Sequence, residues 1–83
     1  MNLYIVRIGN SYVRGIRYRG KNGNTDFYAR TGSGDDPVWI QGYKMSICLT
    51  ADKDNALRLL GYIAGSISYH FSGEAVWIEE EMS

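Results

Sequence analysis

Arg17–Arg30, RYRGKNGNTDFYAR, is the stretch that decides how this chain folds. Asn22-Gly23 at its centre is a strong hairpin signal, because both central residues of a type I′ turn need positive φ. With that turn, Arg19 pairs with Asp26, Tyr18 with Phe27, Arg17 with Tyr28, Ile16 with Ala29 and Gly15 with Arg30. Side chains alternate across a sheet, so Ile16, Tyr18, Phe27 and Ala29 share one face and belong to the core. Arg17, Arg19, Asp26, Tyr28 and Arg30 share the other, a cationic face that carries a tyrosine. A hairpin with one apolar and one polar face calls for an antiparallel sheet covered on one side.

Outward from the hairpin, Tyr4–Ile8 reads as a first strand closed by Gly9-Asn10, and the second strand runs from about Tyr12 to Gly20. Residues 31–37, TGSGDDP, form a loop without strand or helix propensity. Val38–Leu49 alternates in character, with Gly42 marking a bend, and reads as one bent strand or two short ones. Thr50 or Asp52 caps a helix in which Ala56, Leu57, Leu60, Ile63, Ala64, Ile67 and Phe71 recur at helical spacing. Gly61 and Gly65 weaken that helix but leave room for close packing on the sheet. Ser72-Gly73 stops it, and Ala75–Ile78 is a last strand ending in Glu79-Glu80-Glu81. The expectation is α+β: an antiparallel sheet of four to five strands with one long helix on one face, in the order β-β-β-β-α-β. The last strand is expected beside the first.

At 83 residues the chain makes a single domain, and 45% hydrophobic with 22% charged residues is ordinary globular composition. A single cysteine, Cys48, and a single histidine, His70, exclude an internal disulfide and a Cys-based zinc site, and no cofactor or metal is expected. MNLYIVRIGN has a short apolar run and no basic n-region, so no signal peptide is expected there; no run reaches the length of a membrane span, and a reducing cytoplasmic setting is expected. The charge is uneven: seven Lys/Arg against three Asp in residues 1–50, a balance of +4, and two against six acids in 51–83, a balance of −4.

Catalysis has little to rest on. His70 near the helix end has no orienting partner in the sequence, and TGSGDDP places two acids where a phosphate loop needs amides and a lysine. No enzymatic activity is expected. Arginine outnumbers lysine six to three, and interfaces favour arginine and tyrosine where solvated faces favour lysine and glutamate. Arg17, Arg19, Tyr28, Arg30 and Trp77 are the candidate partner-binding residues; Trp39 and Trp77 are more often core or core-edge, but are the first to suspect at an interface if both flank the sheet. A plain cross-strand Arg19–Asp26 pair on a solvated face is the competing account. Glu79–Glu81 reads either as a guard on an edge strand or as an acidic patch for a basic partner.

The sequence of segments YIVRI, YVRGI, CLTADKDNALRLL and VWIEE resembles the short accessory proteins of bacteriophages and other mobile elements. That resemblance implies a non-enzymatic inhibitor or modulator that occupies a surface of a bacterial host protein or complex. Anti-CRISPR proteins and other counter-defence factors, some aimed at nucleic-acid-processing complexes, belong to that group. A nucleic-acid-binding accessory domain that uses the Arg/Tyr face is the alternative, and self-association through a strand edge is a third reading. Zero net charge and the acidic C-terminal third weigh against a dedicated nucleic-acid binder.

Overall fold

The computed structural model describes residues 2–20, 25–32, 38–74 and 76–81. Six strands form one antiparallel sheet: β1 (Leu3–Ile8), β2 (Ser11–Arg19), β3 (Thr25–Arg30), β4 (Ile40–Gln41), β5 (Met45–Thr50) and β6 (Val76–Glu81), with one helix, α1 (Gly61–His70), between β5 and β6. The strand order is β4-β5-β2-β1-β6, and β3 pairs with β2 off that path.

The centre of the sheet is β2. Along one edge it pairs with β5 from Tyr12 to Tyr18. The opposite edge is shared: β1 takes Ser11 and Tyr12, whereas β3 takes Gly15 to Arg19. Between the two partners the sheet forks, and the extended segment 56–59 fills the fork. The Leu57 amide donates to the Val13 carbonyl (2.9 Å), Leu59 and Tyr4 exchange two backbone bonds of 2.8 Å, and the Thr31 hydroxyl donates to the Asn55 carbonyl.

The long helix expected from Asp52 onward is therefore corrected. Asp52 does cap, its carboxylate accepting from the Asp54 amide at 3.0 Å, but what it starts is a single 3-10 turn, Lys53–Asn55. The chain then runs extended until Leu60, whose φ of −63° and ψ of 151° precede the 10-residue α1. Polar backbone groups at the fork need partners, and a strand-like segment supplies them where a helix would not. Leu57 and Leu59 are buried on either side of exposed Arg58, a period of two. Leu60, expected in the core, is only partly buried, and Leu59 takes its place.

The core lies between the inner face of the sheet and the returning chain. Val6, Val13, Ile16, Met45 and Ile47 come from the strands; Leu57, Leu59, Ala64, Ile67 and Phe71 close over them. Val38–Leu49 resolves into two short strands, β4 and β5, joined by a turn in which Lys44 has φ of 60° and the Gly42 amide donates to the Met45 carbonyl at 2.7 Å. A side chain at Gly42 has no room, since a β-carbon there would lie 2.7 Å from Phe71 Cζ and 2.9 Å from the His70 carbonyl. Of the two helix glycines, Gly61 faces the Tyr4 ring, 3.2 Å from where a β-carbon would sit, whereas Gly65 faces open space. The close packing expected of both holds for the first alone.

β6 lies beside β1 as expected, from Leu3↔Glu81 to Ile8↔Val76. Glu79–Glu81 belong to the strand and occupy an end of the strand order, where charge opposes the addition of a further strand. The four pairs from Gly15↔Arg30 to Tyr18↔Phe27 have the expected register. Beyond them the register shifts, so Arg19 stands opposite Thr25 and not Asp26. The Asn22-Gly23 turn and residues 33–37 of the loop lie outside the described residues.

A candidate binding surface on the outer face of the sheet

Two rows of side chains cross the outer face. Arg30, Gly15 and Cys48 stand side by side on β3, β2 and β5. One step along, Tyr28, Arg17 and Ser46 do the same, and β4 continues that row with Gln41. A register shift between Val13 and Gly15 leaves Arg14 as the extra residue of β2, and the Arg14 carbonyl accepts from the Thr31 amide at 2.8 Å. That contact ties the end of β3 to β2.

Trp39, immediately before β4, lies over these rows. Its ring edge reaches Gly15, where a β-carbon would stand 3.3 Å from Trp39 Cη2, 3.2 Å from Arg30 Cγ and 2.5 Å from Cys48 Sγ. Glycine at position 15 is what lets the indole approach the sheet. The Arg17 guanidinium lies over the Trp39 ring, 4.5 Å from its centroid. The Tyr28 ring is tilted beside it at 5.9 Å, and 54% of Tyr28 is exposed. Arg17, Trp39, Tyr28 and Arg30 thus form one cluster, with Cys48 fully buried below it. Burial raises the Cys48 thiol pKa above its ordinary value, against the opposing pull of Arg14, Arg30 and Arg17.

The cluster is cationic. Glu79 pairs with Arg7 (3.1 Å) and with Lys53 (3.7 Å), and among the residues whose side chains are described no ion pair to Arg14, Arg17 or Arg30 is seen. Arg17 is already held in place by the indole, so its outward N–H groups are presented with part of their rotamer freedom removed. Carboxylates are the natural complement to such donors.

Of the residues singled out from sequence, Arg17, Tyr28 and Arg30 come together. Arg19 is exposed at the end of β2, its amide bonded to the Lys44 carbonyl at 2.8 Å, and the register shift leaves Asp26 as the extra residue of β3, so Arg19 no longer faces it. Trp77 stands apart on β6, 46% exposed, with the Arg7 guanidinium 4.5 Å over its ring. Phe27, expected in the core, is 39% exposed at its edge. Trp39, expected as core or core-edge unless it flanks the sheet, lies on the outer face, and the sequence gives Gly15 no role. A glycine inside a strand pattern was the available signal for a close approach at that point.

Among the described residues no group of three or more His, Cys, Asp or Glu could hold a metal ion, and no helix is long and apolar enough to cross a membrane. Comparison with protein-family models, with curated proteins and with solved structures finds no match.

Proposed function

We propose that this chain is a non-enzymatic binding module that occupies an acidic surface of a partner protein through Arg17, Tyr28, Arg30 and Trp39. The observation that carries the reading is the Arg17–Trp39 stack at 4.5 Å, flanked by exposed Tyr28. Arginine, tryptophan and tyrosine are the residue types that dominate binding hot spots. A protein partner is favoured over a nucleic acid because Arg17 covers one face of the indole and Gly15 receives its edge. Base stacking needs an open aromatic face, and Trp39 offers less of one than a single-strand binder uses.

The finer reading, an inhibitor or modulator of a bacterial host protein that works in the cytoplasm and is encoded by a phage or other mobile element, rests on the segment pattern alone. Capture from a nuclease-treated bacterial lysate tests the class. A protein partner retained after nuclease treatment, and lost with Arg17→Glu/Arg30→Glu, supports it. Capture abolished by nuclease, or a steeply salt-dependent gel shift, assigns the face to nucleic acid instead.

A further inference from the structure

On the other side of the sheet from the arginine cluster, a cavity of about 290 Å³ lies between β2, β3, β5 and α1. Buried Ile16 and Met45 line it from the sheet, and Ile63 from the helix. Tyr18 adds an aromatic wall, and Phe27 and Tyr62 are its exposed side chains. The volume is near the lower end for small-molecule sites and roughly twice the ~150 Å³ cavity that holds benzene. It suits a molecule of one or two rings. No Asp, Glu, Lys or Arg lines it, so an ionised ligand would lose hydration without a carboxylate, ammonium or guanidinium to pair with.

His70, the last residue of α1, also lines the cavity, packed against the rings of Tyr69 (5.2 Å), Tyr18 (5.6 Å) and Tyr43 (5.9 Å). Its Nδ1 is buried and has no hydrogen-bond partner among the described residues. A buried polar atom in that condition is destabilising. Ser66, also in the lining, donates its hydroxyl hydrogen to the Ile63 carbonyl at 2.6 Å and cannot serve His70 as a donor. The Cβ–Cγ torsion of histidine is broad, so rotation about it can re-aim Nδ1.

We propose that this cavity binds a neutral aromatic molecule of one or two rings whose single hydroxyl hydrogen-bonds His70 Nδ1. A hydroxyl both donates and accepts, so it can pair with Nδ1 whether or not that nitrogen carries a proton. The site shares no residue with the outer-face cluster and stands or falls independently of it.

The test is a titration of ¹⁵N-labelled protein with 1-naphthol, naphthalene and 1-naphthoate, followed by NMR. With 1-naphthol, saturable shifts are expected at Ile16, Met45, Ile63 and Ser66, and the ¹⁵N signal of His70 Nδ1 is expected to move. Naphthalene is expected to bind at least about tenfold more weakly without moving that signal, since one hydrogen bond is worth about 1.4 kcal/mol on this scale. Naphthoate is expected not to bind there. His70→Phe removes the preference for naphthol while keeping naphthalene binding; if that variant does not fold, the three ligands on the unaltered protein decide alone. The proposal is overturned by absence of saturable shifts at the cavity, by equal affinity for naphthol and naphthalene, or by naphthoate binding as tightly as naphthol.

Discussion

Gly15 and Cys48 are neighbours across β2 and β5, and a methyl group on Gly15 would lie 2.5 Å from the Cys48 sulfur. The outer face is built on that fit. The thiol fills the space below, the missing side chain leaves the space above, and Trp39 closes over both.

Gly15→Ala is therefore expected to cost about 1–3 kcal/mol, the usual range for overpacking. On a Cys48→Ala background the same change is expected to cost less, because the closest contact is gone while those to Arg30 Cγ and Trp39 Cη2, at 3.2 and 3.3 Å, remain. Denaturant melts of the four members of this double-mutant cycle measure the coupling. Additive costs would show that the sulfur is not what excludes a side chain.

Burial and a raised pKa make Cys48 a poor nucleophile. A thiol-specific reagent at neutral pH is expected to label it slowly in the folded protein and quickly in urea. The sign of the pH effect follows from the same shift. A raised folded-state pKa favours the protonated thiol, so its stabilising contribution is present below the ordinary value of 9.0 and is lost as pH rises through the folded value. Alkaline melts of Cys48→Ala are expected to lack that component.

Leu59 and Leu60 separate the fork from a helix. Leu59 is 5% exposed and bonded through its backbone to Tyr4, whereas Leu60 is only partly buried. Leu59→Ala is expected to lose about 2–5 kcal/mol and Leu60→Ala distinctly less. Equal losses in urea melts would return segment 56–60 to a helical stripe.

Gly65→Ala is expected to stabilise the protein by about 0.5–1 kcal/mol, since it adds a good helix former facing open space. A thermal melt shifted upward checks it; a downward shift would mean that a neighbour occupies that space.

The hairpin was legible because one signal, Asn22-Gly23, sets the register of β2 and β3, and four of its pairs stand in the sheet as the turn predicts. The neighbouring positions of β6 and β1 were legible as well, two short apolar strands near the two ends of the chain. Segment 52–60 was not. Ala56, Leu57 and Leu60 fit a helical period, and Leu57 and Leu59 fit a period of two. The choice between them is made by unpaired backbone groups of Tyr4 and Val13, which belong to distant parts of the chain. The same holds for the cluster: Arg17, Tyr28 and Arg30 follow from local alternation, but Trp39 joins them only because β4 folds back along β5.

The central claim is that this cluster, and not the separate Arg7–Trp77 stack, meets the partner. The direct measurement is calorimetric affinity for the purified captured protein, with Arg17→Glu/Arg30→Glu and Trp77→Ala compared side by side with the parent chain. A loss of at least about 2 kcal/mol, roughly thirtyfold, is predicted for the double reversal, with Trp77→Ala within about twofold of the parent. Unchanged affinity in the double reversal, with the loss falling on Trp77→Ala, would contradict the account and move the interface to β6.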